Sequence, residues 1–279
     1  MIQIGDYTLR VLDAQEFSLD GGSMFGVVPK TMWEKPAPAD ELNRVRLSTR
    51  LLLISGRGRH ILIDTGMGTA WSEKHRSIYS ISPFRIHEEL AAAGLETGDI
   101  TDIILTHLHF DHVGGAFSLV EGELMPVFPN ARILVQEENY RTASRPNVKE
   151  RVSYNPAFID ALGRLPSLVL VSGEQELFAG IDIIISNGHT RGQQLVRISD
   201  GQKTLVHGGD LVPSAAHLPV AWITGFDIEP LTVIEEKSAL LQEAFEKEWI
   251  IFFGHDPLIH AATVQRGEKG FVPGPVLKL

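Results

Sequence analysis

The chain predicts an α/β protein: two mixed β-sheets packed face to face, with helices on their outer faces. Three observations predict this. Apolar runs of strand length recur along the whole chain, they fall into two groups with segments of helical character beside them, and most end in a loop that holds a histidine or an aspartate. Runs of roughly four to eight apolar residues bounded by Gly, Pro, Asn or Asp read as buried strands. No Pro/Gly/Ser-rich linker divides the sequence, so residues 1–279 are read as a single domain.

The elements follow in order. Residues 7–12 predict a strand, and residues 47–55 pair with 60–63 across the turn Gly56-Arg57-Gly58-Arg59. Between them, residues 19–40 carry Gly and Pro yet also Met24, Phe25, Val27, Val28, Met32 and Trp33. So apolar a loop suits a functional or mobile segment. A helix over about 84–93 starts after Pro83 and stops at Gly94. Residues 102–105 form a short buried strand. Residues 131–135 are another, and 137–165 a helical or irregular excursion. Residues 168–171 and 181–185 are strands, and 194–198 with 203–206 form a hairpin across Ser199-Asp200-Gly201. Val233, Leu240, Leu241 and Ala244 recur at helical spacing, so 231–247 is a long amphipathic helix, followed by a last buried strand at 250–253.

Composition narrows the function. The 279 residues carry a net charge of −10, which argues against nucleic acid as a partner. No apolar run approaches the roughly 20 residues that span a bilayer, and the N-terminus lacks the pattern of a signal peptide. There is no cysteine, which removes thiolate ligands and disulfides and fits a cytoplasmic location. Arg44, Arg46, Arg50, Arg57 and Arg59 lie close together and are read as solvated strand faces.

The chemistry concentrates in Thr106-His107-Leu108-His109-Phe110-Asp111-His112, followed by Gly114-Gly115, and then in His189, Asp210 and His255. Imidazole and carboxylate without thiolate suit zinc, with iron, manganese or cobalt fitting the same donors. Side chains two apart in an extended segment share a side, so His107 and His109 can grip one ion while Asp111 and His112 reach a second. His189 completes the first set and His255 the second. Asp210 bridges them, since a carboxylate has two oxygens. Seven ligands are too many for one tetrahedral site, so two divalent ions are expected, which turn water into a nucleophile and clamp substrate oxygens. Asp64, in Asp64-Thr65-Gly66, is expected to orient a ligand histidine.

This ordered set, spanning positions 64 to 255, resembles the metallo-β-lactamase superfamily, whose fold is a four-layer αβ/βα sandwich with metals at the edge of the two sheets. Within it, residues 19–30 and 107–115 resemble the N-acyl homoserine lactonases and their methyl-parathion-hydrolase-like relatives. The resemblance implies a hydrolase of a small ester-like substrate, a lactone before others, with Asp111 relaying a proton. A phosphotriesterase or a thioesterase like glyoxalase II would use the same metals. A thioesterase calls for a basic patch such as Arg266, Lys269 and Lys278. A di-iron redox protein is disfavoured by His109, where that branch has glutamate. Where the best-known lactonases carry a tyrosine, three residues after the bridging aspartate, this chain has Pro213, with Ser214 and His217 nearby. His217 is therefore a candidate catalytic residue. Met24, Phe25, Trp33 and Trp222 are candidates for a substrate pocket, with Phe226 beside them; Phe25→Ala or Trp33→Ala would then flatten a dependence on acyl-tail length. A homodimer contact is the alternative use of the apolar 19–40 segment.

Overall fold

The computed structural model describes residues 1–268 and 270–278. In chain order the strands are β1 (Ile2–Ile4), β2 (Tyr7–Asp20), β3 (Arg44–Gly56), β4 (Arg59–Ile63), β5 (Asp102–Ile104), β6 (Phe117–Val120), β7 (Glu123–Pro126), β8 (Arg132–Gln136) and β9 (Leu168–Val171). The second half adds β10 (Glu176–Phe178), β11 (Ile181–Ser186), β12 (Gln193–Ser199), β13 (Thr204–His207), β14 (Ile250–Phe252), β15 (Ala261–Gly267) and β16 (Gly270–Leu277). The described residues form two seven-stranded sheets, β1-β2-β3-β4-β5-β8-β9 and β10 through β16 in sequence order; β6 and β7 pair separately. Both sheets are mixed: β4, β5, β8 and β9 run parallel in the first, and β13 and β14 in the second.

Strand alternation explains the layers. Leu52 and Ile54 of β3 and Ile61 and Ile63 of β4 point inward, where they meet Val196, Ile198, Leu205 and Phe252 of the other sheet. Their neighbours Leu51, Leu53 and Leu62 point outward, onto the helices Ile86–Ala91 and Pro156–Gly163. On the other side Val206 and Ile251 pack against Val233, Leu240 and Leu241 of the helix Pro230–Glu246. A strand covered on both faces reads as a continuous apolar run, as Leu51-Leu52-Leu53-Ile54 does.

Several elements differ from the sequence expectation. β2 runs on to Asp20 because a register shift between Asp13 and Gln15 changes the phase of its alternation while pairing with β3 continues to Asp20↔Arg44. This long hairpin reaches from the sandwich to the functional site. The 19–40 segment holds two short helices, Gly21–Phe25, capped by Asp20, and Lys30–Trp33. Strands β1, β6, β7, β10, β15 and β16 and the helix Glu73–Ile78 were not expected. Arg50 departs from the reading of its arginine cluster as solvated: it is 4% exposed and bonds Asp13 at 2.8 Å and the carbonyls of Asp256 and Ile259. No helix among the described residues is long and apolar enough to cross a membrane.

Candidate metal centre

The seven expected ligands arrive from loops at strand ends. β5 ends at Ile104 and delivers 106–112; His189 follows β11, Asp210 follows β13, and His255 follows β14. The chain then turns sharply at Gly114-Gly115. A Cβ on Gly115 would lie 1.9 Å from the Thr65 carbonyl oxygen, and one on Gly114 2.4 Å from that of Met67. Close backbone approach thus demands these glycines.

The donors gather into two adjoining groups, His107, His109, His189 and Asp210, and Asp111, His112 and His255. Asp210 spans both. Its Oδ2 lies 3.3 Å from His189 Nε2 and 4.0 Å from His107 Nε2, while Oδ1 lies 3.1 Å from His255 Nε2 and 3.4 Å from His112 Nε2. Asp111 Oδ2 is 3.6 Å from His255 Nε2.

Outer partners fix each ring so that a lone pair faces inward. His112 Nδ1 donates to Asp64 Oδ2 at 2.8 Å, His189 Nδ1 to Asp227 Oδ1 at 2.7 Å, and His255 Nδ1 to the Ser48 carbonyl at 2.8 Å. Thr106 Oγ1 donates to Asp64 and accepts from His107 Nδ1 at 3.1 Å. His109 turns Nε2 toward Glu150 Oε1, 3.6 Å away, and presents Nδ1. The inward nitrogens of His109 and His189 lie 3.1 Å apart, as do those of His112 and His255. His107 Nε2 and Asp210 Oδ1 are buried without a hydrogen bond. Converging lone pairs and orphaned acceptors call for shared positive charge, and the N/O donor set fits two zinc-like ions.

Asp64 holds its position at φ +58°, a left-handed conformation uncommon outside glycine. Its carboxylate also accepts the Thr106 amide at 2.7 Å. Two outer partners were not foreseen, Asp227 and Glu150. Asp227 is 1% exposed in side chain, and Thr224 pins it through both amide and hydroxyl. Glu150 accepts from Tyr154 at 2.7 Å and from Thr190. Asp227→Ala should weaken the metal held by His189 about 10- to 100-fold. Chelator competition measures this; unchanged affinity would mean that His189 needs no such support.

Charge within the cluster moves titration in opposite directions. Burial holds His107 well below the usual histidine range, helped by the neighbouring imidazoles. Burial opposes protonation of His112 too, but Asp64, Asp210 and Asp111 outweigh it and push the ring well above that range. Asp210 is likewise held low, burial being overcome by His255, His112 and His189.

A cavity of about 340 Å³ opens onto this cluster. Asp111, His189, Asp210 and His255 lie on its floor; Leu19, Met24, Leu47, Phe110 and Phe226 line its walls, with Asp20, Arg44 and Ile78 toward solvent. Of the expected pocket residues Met24 and Phe226 belong to this lining, and Phe25, Trp33 and Trp222 do not. Phe25 and Trp33 are each 2% exposed and stack on one another at 5.3 Å, so they anchor the 19–40 segment in the core. Trp222 meets Phe25 edge-on at 5.9 Å, and its carbonyl accepts from buried Lys237. His217 is corrected as well. It stacks on Phe25 at 4.7 Å, and both nitrogens are taken, by the Met24 carbonyl at 2.9 Å and Ser214 Oγ at 2.7 Å. Burial, with the Lys237 ammonium nearby, lowers its pKa to about 4, so the ring is a neutral packing element at pH 7. Pro213 contributes only its carbonyl, which accepts the His255 amide at 2.9 Å. Arg266 lies over Phe271, outside the cavity lining, and Lys269 lies outside the described residues.

Residues 46–255 match the family described as the metallo-beta-lactamase superfamily. The chain belongs to that superfamily. An N-acyl homoserine lactonase of Bacillus thuringiensis is 32% identical over 223 residues, 70% of this chain and 76% of the relative. A probable metallo-hydrolase of Mycobacterium tuberculosis is 26% identical over 218 residues, 67% and 66% of the two chains. Among solved structures, a probable metal-dependent hydrolase from Staphylococcus aureus superposes with a TM-score of 0.88 at 29% identity, covering 99% of this chain and all of that one. A dizinc quorum-quenching lactonase, at 23% identity with TM-score 0.83 over 98% and 96% of the chains, shares the fold. The αβ/βα sandwich and the metal-dependent hydrolase class of this chain, in the lactonase-like branch, follow from these matches.

Proposed function

We propose that this chain opens a lactone bearing an apolar acyl tail, an N-acyl homoserine lactone being the substrate class that fits best. One observation carries the reading: the cavity above the donor cluster has largely apolar walls, and its floor holds Asp111 and Asp210. An uncharged ring at the floor with its tail along Leu19, Met24 and Phe226 buries apolar surface without bringing an anion into an acidic protein. The lactonase relatives act on such molecules by name.

His107, His109 and His189 would hold one ion, Asp111, His112 and His255 the other, and Asp210 both. Two ions bound there would supply hydroxide at neutral pH and polarise the acyl carbonyl. The residues do the rest. Asp111, buried yet on the cavity floor, takes the proton released by the attacking water and returns it to the departing oxygen. The outer carboxylates of Asp64 and Asp227 keep their histidines from turning.

Tail length tests the reading. Each buried methylene contributes about 0.8 kcal/mol, so kcat/KM should rise about threefold to fourfold per added methylene until the cavity is full. Phe226→Ala should flatten that rise and leave short-tail turnover nearly intact. A rate independent of tail length, or faster turnover of a glutathione thioester or a phosphotriester, would overturn the substrate assignment and leave the metal chemistry standing.

A further inference from the structure

The cavity wall includes a group that the reaction above leaves unused. The helix Glu73–Ile78 ends at Tyr79, which lines the cavity beside Phe110 and Asp111. Its segment is fastened to the β2–β3 hairpin. The Ser18 amide donates to the Tyr79 carbonyl at 2.7 Å, and Arg44 donates to the carbonyls of Ser77 and Ile78 at 3.0 Å each. The ring is held as firmly: Phe110 lies 5.3 Å from it, Trp71 meets it edge-on at 6.1 Å, and His75 stacks at 6.3 Å. A half-buried phenol ordinarily finds a hydrogen-bond partner, yet among the described residues this hydroxyl has none. Burial, and then the Asp111 carboxylate, raise its pKa above the usual phenol value. The hydroxyl therefore stays protonated at neutral pH, a donor on the same side of the cavity as Asp111.

We infer that Tyr79 is a catalytic residue whose phenol donates a hydrogen bond to the oxygen leaving the acyl carbon. This rests on the hydrolytic reading above. Water oxygen forms the new bond to the acyl carbon, the acyl C–O bond breaks, and the departing oxygen receives its proton from Asp111. Tyr79 keeps its own proton and only shares it as negative charge builds on that oxygen. A donor fixed before the reaction acts at little reorganisation cost, and more strongly in a cavity screened from water. The benefit grows with the basicity of the leaving oxygen, and a purely structural role would not produce that dependence.

Tyr79→Phe in the metal-loaded protein tests this with a leaving-group series: an N-acyl lactone, phenyl and 4-nitrophenyl esters, and the matching aryl phosphotriesters. The expected result is a fall in kcat of about tenfold on the lactone and the phenyl substrates. On 4-nitrophenyl substrates, whose leaving oxygen needs little help, the change should stay under about twofold. Metal content and thermal midpoint should match the wild type. Equal losses across the series, or none, would overturn the role of Tyr79. A wild type that cleaves the aryl substrates but no lactone would overturn the lactone assignment instead, and the aryl comparison would still decide on Tyr79.

Discussion

Asp210→Ala should abolish turnover, lowering kcat/KM on the order of a thousandfold or more, while leaving a folded protein. The reason lies in the two faces of one carboxylate. Oδ2 approaches His189 and His107, and Oδ1 approaches His255 and His112, so Asp210 is the one donor that reaches both groups. Without it the first group keeps three imidazoles and the second keeps Asp111 and two imidazoles. Each loses an anionic ligand, and nothing fixes the spacing between them. Metal content should therefore fall below two per chain, which elemental analysis reads directly. The fold should survive, because Asp210 sits in the loop after β13 at 13% side-chain exposure and the sheets cohere through other residues. Near-normal turnover with two ions bound would show that Asp210 is not the bridge.

How much of this was legible in the sequence follows from whether each feature leaves a mark in its own local pattern. These strands were visible because short apolar runs bounded by turn residues mark themselves: 168–171 was placed to the residue, and 181–185 and 250–253 to within one. The ligand cluster was visible because histidines and aspartates at strand ends are a rare combination, and the loops do bring all seven together. The supports of the histidines divide by local pattern. Asp64, 48 positions from His112, announces itself in Asp64-Thr65-Gly66 after β4, whereas Asp227, 38 positions from His189, lies in a loop whose local pattern says nothing of it. β16 escaped notice because Pro273, Gly274 and Pro275 punctuate it, and an edge strand tolerates prolines that a central strand does not.

The pocket was the part read least well, because an apolar residue in a loop carries no mark of the direction it will face. Asp20 caps a one-turn helix over Gly21–Phe25 by accepting the Ser23 amide at 2.9 Å. That turn decides the matter: Met24 reaches the cavity wall, and the ring of Phe25 stacks between Trp33 and His217. Gly21 belongs to the same arrangement, since a Cβ there would lie 2.3 Å from the Trp33 ring.

Phe25→Ala should consequently act on stability and not on substrate length. Phe25 is 2% exposed and is stacked between two rings, with Trp222 against its edge. Truncating a buried Phe costs about 3–5 kcal/mol, from lost transfer energy and from the cavity left behind. In a chain of this size that corresponds to a fall in thermal midpoint on the order of 10 °C. The loss should lie toward the upper end, because Trp33 and His217 each have a second role that resists collapse: Trp33 fills the space over Gly21, and His217 is tied by hydrogen bonds to Met24 and Ser214. Thermal unfolding of the metal-loaded variant measures the effect. At temperatures where the variant is folded, its dependence of kcat/KM on acyl-tail length should parallel that of the wild type. An undiminished midpoint together with a flattened tail-length dependence would return Phe25 to the substrate pocket. It would also mean that the helix Gly21–Phe25 turns its aromatic side toward the metal centre during turnover.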